Sequence, residues 1–127
     1  MSSCPCGSQT SYTACCGPYI DGGAVAPTAE ALMRSRYTAF TLGNEAYLRA
    51  TWHPDFLPTD LRLADEPPTK WLGLEVKRHQ QQDAEHAIVE FVARYKIGGR
   101  AHRLHETSRF VHIDGCWLYT DGDIHPR

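Results

Sequence analysis

Four of the five cysteines fall between Cys4 and Cys16, in a stretch whose only bulky side chain is Tyr12. A segment so poor in apolar surface cannot hold one conformation by burial, so a metal or a disulfide must hold it. The pattern is Cys4-x-Cys6, eight residues, then the adjacent pair Cys15-Cys16. Pro5 stiffens the first pair, and Gly7 and Gly17 follow the two pairs, where a chain wrapping an ion needs unusual dihedrals. Four soft ligands in one tight turn match a closed tetrahedral Zn²⁺ site, and binding worth roughly 10–16 kcal/mol would be the folding energy of the segment. Four protein ligands leave no position for water, so the expected zinc is structural. The competing reading is a redox thiol cluster. Against it, adjacent cysteines make a poor disulfide and C-x-C is not the C-x-x-C redox motif.

The rest of the composition narrows the function classes. Hydrophobic residues make up 42% and charged residues 22% of the 127, which is ordinary globular usage and enough for a core. The net charge is −2, and only three lysines occur, Lys70, Lys77 and Lys96. Neither nucleic-acid binding nor a polybasic membrane patch is expected from such a chain. The N-terminus lacks a basic and apolar leader, and no apolar run approaches the roughly 20 residues of a membrane helix. These features point to a cytoplasmic protein, where clustered cysteines more often mean metal than disulfides.

Patterning divides the chain into a knuckle at residues 1–20, a linker at 21–27 and a domain at 28–127. Thr28 is a good N-cap, and Ala29, Leu32, Met33, Tyr37 and Phe40 recur at helical spacing. Gly43 ends this helix, and Asn44 caps a second carrying Tyr47, Leu48, Thr51 and Trp52, which Pro54 stops. A proline-rich loop follows, with a helical turn expected near Thr59–Leu63. From Trp71 the period becomes two. Leu72, Leu74 and Val76 alternate with polar neighbours, as do Ala87, Val89, Phe91, Ala93, Tyr95 and Ile97. Gly98-Gly99 and Asp114-Gly115 read as tight hairpin turns, and Trp117, Tyr119 and Asp121 finish the sheet. Helices followed by a meander of about four antiparallel strands define an α+β fold, with the helices on one face of a curved sheet.

Residues Cys4 to Gly17 resemble the SEC-C motif, a zinc knuckle found at the C-terminus of the translocase ATPase SecA and in several small bacterial proteins. The run Ala31 to Phe40, the pairs Tyr47-Leu48 and Thr51-Trp52, Glu106-x-Ser108-x-Phe110 and Gly115-x-Trp117-x-Tyr119-x-x-Gly122 resemble the YchJ-like family of uncharacterised bacterial proteins. The resemblance implies an N-terminal knuckle and a nuclear transport factor 2-like domain, a cone of helices against a strongly curved sheet. SEC-C knuckles that dock on partner proteins usually carry lysines between the cysteine pairs; the stretch Gln9 to Ala14 has none.

Cone-type folds enclose a cavity. On the strand from Ala101 to Ile113, Glu106 and Ser108 share a face with Leu104 and Phe110. An inward Glu106 would have its pKa raised by burial, as suits a general base. Arg36, beside the apolar stripe of the first helix, could reach it, and the pair also reads as a buried structural ion pair. Arg36, Trp52, Glu106, Ser108 and Trp117 are the candidate cavity lining. His53 reads as a capping or surface imidazole. His102 and His112 share a face but stand roughly 33 Å apart along an extended strand, too far for one metal. His105 and Arg109 point to the other face and are expected to be solvated. Asp121, Asp123 and His125 alternate near the C-terminus but lack a fourth metal ligand. Cys116 reads as a small hydrophobe.

The leading expectation is a zinc-binding protein without catalytic activity, its knuckle a structural or protein-docking module. The alternative is a small-molecule binder or enzyme using the cavity, with Glu106 as base or anchor.

Overall fold

The computed structural model describes residues 4–8, 10–58 and 69–125. The helical turn expected near Thr59–Leu63 lies outside them. In the N-terminal segment, Cys4 N–H donates to the Thr10 carbonyl at 2.7 Å and Gly7 N–H to the Cys4 carbonyl at 3.2 Å, closing a loop back on itself. A 3₁₀ turn at Tyr12–Ala14 leads into the one-turn helix α1, Gly17–Ile20, with Pro18 in its first turn where no N–H is required.

Helix α2 spans Ala29–Leu42. Thr28 caps it, its hydroxyl accepting from Ala31 N–H at 3.1 Å, and Gly43 closes it in the left-handed region at φ 70°. Helix α3, Glu45–Ala50, starts where Asn44 Oδ1 accepts from Tyr47 N–H at 3.0 Å. The buried arc of α2 is wider than its apolar stripe. Ser35, Arg36, Thr38 and Ala39 are buried with Leu32, Met33 and Tyr37, because α2 is packed against the sheet, against α3 and against the cysteine segment at once.

Four strands follow in a simple antiparallel meander: β1 Thr69–Gln81, β2 His86–Ile97, β3 Arg100–Ile113 and β4 Cys116–Ile124. Both expected tight turns are present. Gly98 and Gly99 have φ of 57° and 80°, and Asp114 and Gly115 have 52° and 82°; two positive values in a row twist the chain as flanking strands require. The inner face carries Ala87, Val89, Phe91, Ala93 and Phe110, all buried. The α+β class and the helix-then-meander order are those the patterning indicates.

The faces of β1 and β4 differ from a plain alternation. Leu72 does not join Leu74 and Val76 in the core and is 46% exposed. A bulge between Trp71 and Gly73 shifts the register, and Trp71 turns inward instead, against Tyr37, Phe40 and Tyr95 with ring centroids at 5.5, 5.9 and 5.3 Å. A further bulge, at Arg109/Phe110, pairs Phe110 with Tyr119 but Arg109 with Asp121. Tyr119 therefore faces inward, whereas Asp121 faces outward rather than continuing that row. Thr120 fills the irregularity, its hydroxyl donating to the Arg109 carbonyl at 3.1 Å.

Candidate metal centre and cavity

Two short turns bring the four cysteines together. One ligand sulfur from each of Cys4, Cys6, Cys15 and Cys16 lies within 4.8 Å of the others, and all four thiols are free. Cys6 and Cys15 Sγ are 3.6 Å apart, and Cys15 and Cys16 Sγ 3.9 Å. With Zn–S bonds of about 2.3 Å, a tetrahedron has S···S edges of about 3.8 Å, so the residues fit a four-sulfur metal site. A hydrogen bond from Cys16, set against the cost of burial, draws Cys6 well below the usual thiol range. The same bond and burial push Cys16 up, and burial pushes Cys15 up. Without a cation the thiolate is thus favoured at Cys6 over Cys15 and Cys16, whereas a metal ion would stabilise the thiolate form of all its ligands.

The cluster is part of the core rather than an appendage. Cys4, Cys6 and Cys16 are 3% exposed or less, and Ala26, inside the expected linker, is buried beside them. Helix α2 supplies the surrounding contacts. Thr38 Oγ1 donates to Cys16 Sγ at 3.3 Å, and Arg34 Nη1 donates to the Cys6 carbonyl at 2.9 Å and lies 4.0 Å from its sulfur. Ser8 Oγ lies 3.0 Å from Cys15 Sγ. On the far side Gly7, at φ 83°, rests on β1, where an added Cβ would stand 2.9 Å from the Leu74 carbonyl oxygen. Arg34 places positive charge beside the thiols, and it comes from the domain, not from the knuckle.

Between α2, Trp52 after α3, and the inner face of the sheet lies a cavity of about 290 Å³ with a mostly apolar wall. Arg36, Trp52, Glu106 and Ser108 line it. Trp117 does not: it sits in the core, 4.8 Å from the His112 ring, because β4 turns it toward the β3–β4 hairpin end. The polar lining residue that the candidate set did not include is Tyr119, and the rest of the wall is made mainly by apolar residues of α2 and the sheet. The signal for Tyr119 was present, since counting back from the Asp114-Gly115 turn pairs it with Phe110 on the inner face.

Arg36 does not form the expected ion pair with Glu106. Its guanidinium packs over both the Trp52 and Tyr119 rings, 4.9 and 4.6 Å from their centroids, and Nη1 donates to the Leu48 carbonyl and to Thr51 Oγ1 at 2.9 and 2.7 Å. Burial pulls its pKa down to about 10. Glu106, partly exposed, accepts instead from Ser108 Oγ at 2.6 Å and from the Tyr119 hydroxyl at 3.4 Å, both on Oε2. Burial, and then the Glu106 charge, push the Tyr119 phenol well above its ordinary range. Gly122 gives this carboxylate room, for an added Cβ would collide with it.

His105 is not solvated as expected: its side chain is only partly exposed and its Nε2 is 2.7 Å from Glu90 Oε2. Asp121 and Asp123 both accept from Arg109, at 2.7 and 2.6 Å. His53 N–H donates to the Tyr119 carbonyl, fixing the segment after α3 along β4. Among the described residues no helix is long and apolar enough to cross a membrane.

Helices over a bulged four-stranded antiparallel sheet, with a cavity between them, define a nuclear transport factor 2-like domain, here joined to a four-cysteine knuckle. The chain belongs to the family described as YchJ, middle NTF2-like domain, whose model matches residues 28–122. It is 63% identical to a UPF0225 protein of Ralstonia nicotianae, over 95% of this chain and 90% of that protein. It is 58% identical to one of Cupriavidus pinatubonensis, over 95% and 87%. Among solved structures it is similar to a SEC-C motif containing protein from Rhodopseudomonas palustris, with a TM-score of 0.86, 34% identity and coverage of 97% of this chain and 98% of that one. A second such protein, from Psychrobacter arcticus, matches with a TM-score of 0.81, 33% identity and coverage of 100% and 85%.

Proposed function

We propose that Cys4, Cys6, Cys15 and Cys16 hold one structural Zn²⁺ that fastens the N-terminus onto α2 and β1. The observation that carries this reading is the pair of sulfur separations, 3.6 and 3.9 Å, which suit the edge of a zinc–thiolate tetrahedron. Burial of three of the four cysteines against α2 supports a structural role over protein docking. Free, clustered thiols suit a reducing compartment, which supports a cytoplasmic location. Elemental analysis of the purified chain should find one zinc per chain, and Cys6→Ser should lose it. A zinc-free chain that is equally stable would overturn the reading.

The cavity supports a second reading, a binding site for a small and largely apolar molecule. Its wall is apolar, and one polar group, Glu106 Oε2, is held in place by Ser108 and Tyr119. A ligand with one donor, an amine or hydroxyl, would anchor there. Thermal-shift screening of a metabolite library should find compounds that stabilise the chain and lose that effect in Glu106→Gln. Equal shifts in both proteins would remove Glu106 as the anchor.

A further inference from the structure

The outer face of the sheet, turned away from α2, carries a second group of metal-ligating side chains. Glu90 stands on β2, His105 on β3, and His125 directly after β4. Strand register brings them together: Glu90 pairs with Thr107, two residues from His105, and His125 N–H donates to the His105 carbonyl at 2.8 Å. One ligand atom from each of the three lies within 4.8 Å of the others. The two imidazoles stack with centroids 4.3 Å apart and planes inclined by 27°. All three residues are partly buried, and the backbone that places them is sheet or bonded directly to it.

Two imidazoles and a carboxylate are a donor set that first-row divalent ions favour. The nearby carboxylates do not compete, since Asp121 and Asp123 are held by Arg109. Arg78 Nε lies 3.8 Å from Glu90 Oε1 and leaves Oε2 on the imidazole side. Thr107 Oγ1, 2.6 Å from His125 Nε2, is a neighbouring hydroxyl able to steady that ring or a metal-bound water.

We propose that Glu90, His105 and His125 form a second, solvent-facing site for a first-row divalent transition ion. Three protein ligands leave coordination positions open to water or a small ligand, unlike the closed sulfur cluster. The site is independent of the cavity and of the knuckle.

The zinc-loaded chain titrated with Co²⁺ tests this, followed by absorption and by proton NMR of the histidine rings. The expected result is binding without sulfur-to-cobalt charge-transfer absorption, with the ring signals of His105 and His125 displaced. His105→Gln and, separately, Glu90→Gln should weaken this binding by roughly tenfold or more. His86→Gln, which removes an exposed imidazole 2.9 Å from Asp83, should leave it unchanged. The site is ruled out if neither ring signal moves at millimolar cobalt, if cobalt enters only with thiolate absorption, or if His105→Gln binds as the parent does. The NMR result on the parent chain decides the matter should a variant fail to fold.

Discussion

Thr38 is fully buried on α2, and its hydroxyl serves sulfur rather than water, donating to Cys16 and lying 3.6 Å from Cys4. Such outer contacts orient metal ligands and stabilise their charge. Thr38→Val keeps the shape and removes the donor. It should weaken zinc binding by roughly tenfold or more, read by competition with a chelator, and lower stability by about 1–3 kcal/mol in denaturant titration. Arg36 makes a different point at the same scale. A buried cation was expected to seek the nearest carboxylate, but two aromatic faces and two oxygen acceptors already satisfy it. That leaves Glu106 with neutral donors only, a carboxylate at a cavity wall without a bound cation of its own.

Strand β4 shows how one inserted residue redistributes chemistry. Before the bulge Trp117 and Tyr119 face inward; after it Asp121 and Asp123 face outward, where Arg109 clamps both. Hydrogen bonds from Arg109 hold both carboxyls below their ordinary range. A depressed folded pKa means that the stabilisation is present above the unfolded value, about 3.9, and is lost as pH falls through the folded one. The melting temperature of the chain should therefore drop as pH is lowered below about 4, and Arg109→Gln should show a smaller drop over that interval. These groups are exposed, so the effect should also shrink in high salt.

At the scale of the whole molecule, the knuckle and the domain share one core. Cys4, Cys6 and Cys16 cluster with Ala26, Leu32 and Met33, and Gly7 rests on β1. A chain divided at residues 21–27 into independent parts would lose the knuckle alone on chelation. The shared core makes another outcome the expected one. Removal of zinc should lower the main melting transition followed by tryptophan fluorescence, because Trp71 and Trp117 belong to the same packed region. An unchanged main transition with a separate small one would show that the two parts fold apart.

Much of this was readable from residue order alone because its causes are local. Thr28, Gly43 and Asn44 mark helix ends through their own side chains or dihedrals, the paired turns need only two adjacent residues, and the cysteine spacing names its own chemistry. The site residues are a mixed case. Glu106 and Ser108 alternate into the cavity as a regular strand requires, Trp117 faces inward as expected but lies at the hairpin end beyond the cavity, and Leu72 and Asp121 depart from plain alternation at bulges. A bulge forms between two strands, so neither strand alone announces it, yet it moves every later side chain to the opposite face. For the same reason the meeting of Glu90, His105 and His125, the packing of Arg36 on Trp52 and Tyr119, and the seating of the cysteines on α2 were decided only by tertiary structure. Each depends on which distant residues share a face, and that is set by register and packing rather than by neighbours in the chain.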